Sequence, residues 1–147
     1  MSSTQQYDVV IIGAGIAGLM AGHRLREAGR SVLLLDKGRS VGGRLATRRI
    51  GTGQADHGAQ FFTVRTPEFE ALVAGWLADG VVFQWSTGWG DGSLLPAPRS
   101  GYPRFAVRGG MNALARHLAP ELEVRTGMAV EAITAGAEGW RIRGMKD

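Results

Sequence analysis

The sequence predicts an α/β fold built on a parallel sheet, and three observations predict it. A short apolar run, Val9 to Ile12, ends at Gly13. The series Gly13-Ala14-Gly15-Ile16-Ala17-Gly18 follows at once and leads into an amphipathic stretch. A second run, Ser31 to Leu35, then closes on an acid, Asp36. Strand, glycine turn, helix and acid-terminated strand form the Rossmann-like βαβ unit that holds a dinucleotide.

Each of these elements has a local cause. An unbroken apolar run suits a parallel strand covered on both faces, so Val9 to Ile12 reads as the first strand. Gly13 permits the tight turn, and Gly15 lets the main chain approach a pyrophosphate without an intervening Cβ. Gly18 lets the helix pack closely on the strand, and Gly22 keeps its surface flat one turn further on. The helix, from about Ile16 to Ala28, turns Ile16, Leu19, Met20 and Leu25 to the sheet, with Arg24, Arg26 and Glu27 largely toward water. Its free N–H groups and positive dipole end face the phosphates. Gly29 stops it. Asp36 lies roughly 20 residues past the glycines, where a carboxylate can accept hydrogen bonds from ribose hydroxyls.

A second glycine motif follows directly. Asp36-Lys37-Gly38-Arg39-Ser40-Val41-Gly42-Gly43-Arg44 sets two guanidinium groups around a Gly-Gly pair. Arginine offers a planar fork to phosphate oxygens, and adjacent glycines let backbone amides join it. Two such loops suit an extended diphosphate held from two sides. Arg48 and Arg49 fit a solvated basic face better.

Downstream, the pattern is mixed α/β. Thr66 caps and Pro67 opens a helix to about Ala78, with Phe69, Leu72, Val73, Trp76 and Leu77 on one stripe. Val81 to Trp85 reads as a strand, and Gly88 to Gly101 as a loop or hairpin carrying Trp89. Phe105 to Val107 is a short strand, and Gly110 to Leu118 a helix ended by Ala119-Pro120. Leu122 to Thr126, Ala129 to Thr134 and Trp140 to Arg143 are further strands. Trp76, Trp85, Trp89 and Trp140 read as core or cap residues, with Trp89 also placed to border a ligand.

Composition sets the outer limits. The 147 residues make about one domain. Seventeen basic and 13 acidic residues leave +4, with arginine far outnumbering lysine. No arginine-rich tract with interleaved aromatics appears, so a diphosphate partner is expected rather than nucleic acid. The absence of cysteine excludes disulfides and thiol nucleophiles. His23, His57 and His117 have no metal-ligand spacing, and no metal site is predicted; His23 and His117 read as helix-surface or half-buried residues. The polar start, Met1 to Gln6, shows no secretory pattern, and no apolar run reaches membrane-spanning length, so a cytoplasmic protein without a membrane partner is expected.

With these motifs on the page, the chain resembles the flavin-containing amine oxidase superfamily. The βαβ unit followed by x-G-G-R-x-x-T carries the resemblance. Asp36 to Arg49 together with Asp56-His57-Gly58-Ala59-Gln60-Phe61-Phe62 are similar to its renalase-like branch of FAD/NAD-dependent oxidoreductases. Trp85, Gly110 to Ala115 and Val124 to Ile133 continue it. The resemblance implies a Rossmann-like FAD-binding fold with a parallel sheet, incomplete relative to the two-domain family. Residues 1–147 would be its N-terminal half, with about 62–108 beginning a substrate cap.

The resemblance also implies roles. Gly13, Gly15, Ile16, Ala17 and Gly18 would line the pyrophosphate turn. Asp36 would hold the adenosine ribose, with Lys37 beside it. Arg39 and Arg44 would contact the diphosphate or ribityl chain, with Gly43 supplying backbone. Gly58, Ala59, Gln60 and Phe61 would pass beside the isoalloxazine ring, and Val130 would pair its backbone with adenine. Small residues at Gly58 and Ala59 are what a flat ring needs to approach the main chain; an ordinary turn into a strand is the other reading. His57 reads equally as a residue near the ring or as a turn histidine.

Without cysteine, the FAD would be noncovalent. The implied activity is hydride transfer from a small electron-rich donor, a dihydronicotinamide or an amine, to flavin, with dioxygen as reoxidant. No catalytic residue is identified. Three readings stand: an FAD oxidoreductase, alone or completed by another chain; a truncated, non-catalytic dinucleotide-binding module; and an NAD-dependent dehydrogenase using the first glycine motif alone. The Gly42-Gly43-Arg44 motif disfavours the last, since an NAD site needs no second clamp.

Overall fold

The computed structural model describes residues 5–88 and 101–146, so Trp89 and the loop expected around it lie outside the described residues. In chain order the first elements are β1 (Val9–Ile12), α1 (Ile16–Glu27), β2 (Val32–Leu35), β3 (Thr47–Ile50), β4 (Gly53–Asp56), β5 (Phe62–Thr63) and α2 (Pro67–Ala78). They are followed by β6 (Val82–Ser86), β7 (Arg104–Val107), α3 (Asn112–Leu118), β8 (Glu123–Arg125), β9 (Met128–Gly136) and β10 (Gly139–Lys146). The chain divides into two compact units, Met1–Gly43 with Ala115–Asp147, and Arg44–Leu114.

The first unit is built on the expected parallel sheet. Its strand order is β1-β2-β8, with Val9 opposite Val32 and Leu33 opposite Glu123. All four residues of β2 are buried, which is why this run is apolar without alternation. Helix α1 covers the sheet with Leu19 buried and Ile16, Met20 and Leu25 half-buried, while Arg24, Arg26 and Glu27 face solvent. Gly18 lies against β1 and the turn after it: an added Cβ would stand 2.0 Å from the Gly13 carbonyl oxygen and 3.3 Å from Ile11 Cγ2. His23, half-buried, donates from Nε2 to the Leu118 carbonyl at 2.8 Å.

Two polar clusters tie the edges of this unit. The Asp8 carboxylate accepts the Ser31 N–H and hydroxyl, each at 2.7 Å, and these bonds hold its pKa below the ordinary value. Glu123 accepts from the Tyr7 hydroxyl at 2.7 Å and from Arg125 at 2.6 Å, which lowers its pKa likewise. The antiparallel hairpin β9–β10 completes the unit, with Ile133 opposite Ile142 and Ala135 opposite Trp140.

The second unit contains the hairpin β3–β4 and an antiparallel sheet of order β5-β7-β6. Helix α2 starts as expected, with Thr66 accepting the Phe69 N–H and Pro67 in the first turn. Phe62 is the hub of its aromatic core, 5.7 Å from Phe69 and from Phe105 and 6.4 Å from Trp76.

Three expectations change. Trp85 is 48% exposed and Trp140 74% exposed, so of the described tryptophans Trp76 alone, at 6%, is a core residue. Trp140 sits at the turn end of a two-stranded hairpin, which offers no second layer to bury it. Leu77, on the predicted stripe of α2, is 41% exposed, because the buried face centres on Val73 and Trp76. The β3–β4 hairpin was not expected, because neither strand alternates apolar and polar residues.

Gly18→Ala is expected to destabilise the chain by about 1–3 kcal/mol, since the added methyl meets rigid backbone. Gly22→Ala meets Leu122 and Leu34 side chains at 3.2–3.3 Å and should lose less; urea unfolding of both variants checks the order. Because Asp8 and Glu123 have depressed pKa values, the stability they add is complete above the ordinary carboxylate range and disappears as pH falls through and below about 4. Ser31→Ala should flatten that acid limb, as read from unfolding midpoints across pH.

Candidate functional site

The glycine turn of the first unit is a small backbone lattice. Gly13 adopts φ +105, a conformation that favours glycine, and donates its N–H to the Leu35 carbonyl at 2.7 Å. Ala14 is fully buried, and its N–H donates to Asp36 Oδ2 at 2.6 Å. Its carbonyl accepts the Gly42 N–H at 2.8 Å, and Gly15 and Gly42 form an isolated parallel bridge. The Gly-Gly pair of the second motif therefore lies against the first glycine turn.

Asp36 organises this lattice. Its second oxygen, Oδ1, accepts the Gly38 N–H at 2.7 Å. Its main chain is pinned too: the Asp36 N–H donates to Arg125, and its carbonyl accepts from Met128 at 2.8 Å. Each carboxylate oxygen has room for a further bond, so a ribose hydroxyl can be accepted without breaking either amide contact. The sequence suggested a ligand role for Asp36 and missed this structural one.

What the lattice leaves open is the start of α1. Gly15 is the N-cap of α1, no side chain caps it, and no acid lies in the first turn. An added Cβ at Gly15 would meet nothing nearer than the Gly42 oxygen at 4.0 Å, so this glycine answers to no protein neighbour. Open space above uncapped amides fits a diphosphate. Gly18 and Gly43 belong to the same framework, with Ile16 half-buried and Ala17, Lys37 and Arg39 exposed. Val130 is half-buried in β9, opposite Gly144.

The remaining expected residues, Arg44, Gly58, Ala59, Gln60 and Phe61, belong to the second unit. Here the structure adds a reason. An added Cβ at Gly58 would stand 1.9 Å from the Arg44 carbonyl oxygen, so the protein's own main chain requires this glycine. Ala59 donates its N–H to that same oxygen at 2.9 Å, and His57 donates to Ala46 at 3.3 Å. A concavity of about 530 Å³ is lined in part by Gln54, Asp56, Gln60, Phe83, Trp85 and Arg108. The Phe61 ring lies 5.8 Å from that of Trp85.

Thr47 and Asp56 carry roles that sequence reasoning missed, although both stand in the quoted motifs. Asp56 Oδ1 accepts the Thr47 hydroxyl at 2.5 Å and the Met111 N–H at 2.9 Å. Thr47 Oγ1 accepts the Asn112 N–H at 3.1 Å, so the pair caps the start of α3. Among the described residues no group of three or more His, Asp or Glu could hold a metal ion, and no helix is long and apolar enough to cross a membrane.

Comparison with known proteins agrees with this geometry. Residues 11–76 match the family model of an NAD(P)-binding Rossmann-like domain. Coproporphyrinogen III oxidase of Mycobacterium leprae is 42% identical over 67 residues, which is 44% of this chain and 15% of that protein. Putrescine oxidase of Kocuria rosea is 41% identical over 66 residues, 45% of this chain and 14% of that one. A solved structure of a putrescine oxidase triple mutant, from work on redesigned cofactor binding, superposes with a TM-score of 0.72 at 18% identity. It covers 97% of this chain and 55% of its own, and shares the fold.

Asp36→Ala is expected to destabilise the chain by about 1–3 kcal/mol even without ligand, because the buried Ala14 N–H loses its acceptor. Thermal melting of the ligand-free variant checks this. An unchanged midpoint would leave Asp36 with a ligand role alone.

Proposed function

We propose, from the match of residues 11–76 to an NAD(P)-binding Rossmann-like domain and the local similarity to a coproporphyrinogen III oxidase and a putrescine oxidase, that the chain belongs to the flavin amine oxidase superfamily, binds FAD noncovalently and serves a flavin-dependent oxidation. The observation that carries this reading is the uncapped start of α1, open above Gly15 and joined to a second glycine motif through the Gly15–Gly42 bridge. In this reading the amides after Gly13 and Gly15, with Ile16, Ala17 and Gly18, receive the diphosphate. Asp36 accepts from the adenosine ribose, with Lys37 beside it. Arg39 and Arg44 give their guanidinium groups to the diphosphate or ribityl chain, with Gly43 adding backbone. Val130 meets adenine, and Gly58, Ala59, Gln60 and Phe61 lie on the flavin side.

When bound, FAD supplies the two-electron acceptor for a hydride from a small electron-rich donor, with dioxygen as reoxidant and hydrogen peroxide as product. Following the renalase-like resemblance, the donor is a dihydronicotinamide, with a simple amine as the alternative. A dihydronicotinamide gives up hydride without prior deprotonation, which suits a chain in which no general base is identified. A cytoplasmic location belongs to the same proposal, as does the division into an FAD-binding part with a substrate cap begun by residues 62–108.

A second reading is a dinucleotide-binding module without turnover of its own. The visible spectrum after FAD addition and gel filtration tests the cofactor. A flavin band near one FAD per chain is expected, and colourless protein would overturn the reading. Peroxide release with dihydronicotinamides then separates oxidase from module. Arg44→Ala should weaken FAD by about 1.5–3 kcal/mol, the value of a hydrogen bond to a charged group; an unchanged dissociation constant removes Arg44 from the site.

A further inference from the structure

We propose that Gly58 and Ala59 are positioning residues for Arg44: they fix the main chain from which its guanidinium reaches the cofactor. This rests on the assignment of Arg44 as a cofactor ligand. The carbonyl of Arg44 is held from two sides. Ala59 donates its N–H to it at 2.9 Å, and Gly58 lies so close that no Cβ fits, the built position falling 1.9 Å from the oxygen and 2.9 Å from the carbonyl carbon. Backbone cannot swing aside as the end of a flexible side chain can. A methyl at residue 58 therefore has to displace Arg44 or the segment that carries residue 58.

The next residue adds a third restraint. Leu45 is 8% exposed and lies in a short 3-10 turn, Gly43–Leu45, whereas Arg44 itself faces solvent. The main chain at Arg44 is thus fixed by a buried neighbour, a hydrogen bond and a steric wall, while its side chain stays free to meet a ligand. A ligand-binding arginine gains affinity from such a base, because less freedom is lost when it engages.

The restraint has a source in the hairpin. In β3–β4, Ile50 pairs with Gly53 and Thr47 with Asp56. Beyond its last pair the same alternation continues, with His57 N–H to the Ala46 carbonyl and Ala59 N–H to the Arg44 carbonyl. Arg44 and the Asp-x-Gly-Ala-Gln motif therefore face each other across one ladder.

Titration of FAD and of ADP into the wild-type chain and into Arg44→Ala, Gly58→Ala, Ala59→Pro and Arg44→Ala/Gly58→Ala tests this. ADP has the diphosphate and lacks the isoalloxazine ring. Gly58→Ala and Ala59→Pro should each weaken FAD by about tenfold, and in the double variant Gly58→Ala should add less than about twofold. Each should also follow Arg44→Ala ligand by ligand, losing ADP if Arg44→Ala loses it and keeping it if not. Circular dichroism and melting on the same samples identify a variant that has unfolded; Ala59→Pro, which deletes one donor, and Gly58→Ala, which adds one methyl, stand in for each other.

Multiplicative losses in the double variant would overturn the proposal. So would loss of FAD with retention of ADP where Arg44→Ala loses both, since that pattern belongs to direct contact with the ring. If Arg44→Ala leaves FAD affinity unchanged, the ligand assignment of Arg44 fails instead, and the two failures are told apart.

Discussion

Ala14 is fully buried inside a turn, where no strand neighbour can satisfy its N–H, and the Asp36 carboxylate is the acceptor it finds. That contact decides much of the first unit. It brings the end of β2 against the end of β1, and its other oxygen organises the exit loop through Gly38. The same loop is fastened to the start of β9 through Met128 and Gly127. A carboxylate at this place is therefore architectural before any ligand arrives. Binding would add an acceptor role to a group already committed, and so pre-organised.

The glycines divide by what lies over them. Gly18 and Gly58 face protein backbone at distances no methyl tolerates. Gly15 faces open space, with its nearest neighbour 4.0 Å from a built Cβ. This difference separates glycines the fold demands from one that ligand access would demand. On that criterion Gly15 supports the diphosphate reading, and Gly58 belongs to the protein's own packing.

The first βαβ unit was legible because its signals agree: unbroken apolar strands, a helical stripe, glycines at turn spacing and a terminal acid. The β3–β4 hairpin was not. Thr47-Arg48-Arg49-Ile50 and Gly53-Gln54-Ala55-Asp56 lie mostly exposed, and their main-chain pairing writes no hydrophobic period into the sequence. The need for Gly58 was visible but its cause was not, since the Arg44 carbonyl is brought there by a register that sequence spacing does not announce. Thr47 and Asp56 were hidden likewise, because their partners at Met111 and Asn112 lie far along the chain.

The continuous ladder from the β3–β4 turn to Arg44 and Ala59 imposes a parity rule on the segment between the two motifs. Residues gained in pairs, one on each strand, would lengthen the hairpin and still leave Arg44 beside Ala59. A single residue added within a strand would turn that strand over beyond it unless a bulge or a longer turn absorbed the change. Chains of this build should accordingly tolerate even changes in that gap, and an odd change should mark a bulge or an altered turn.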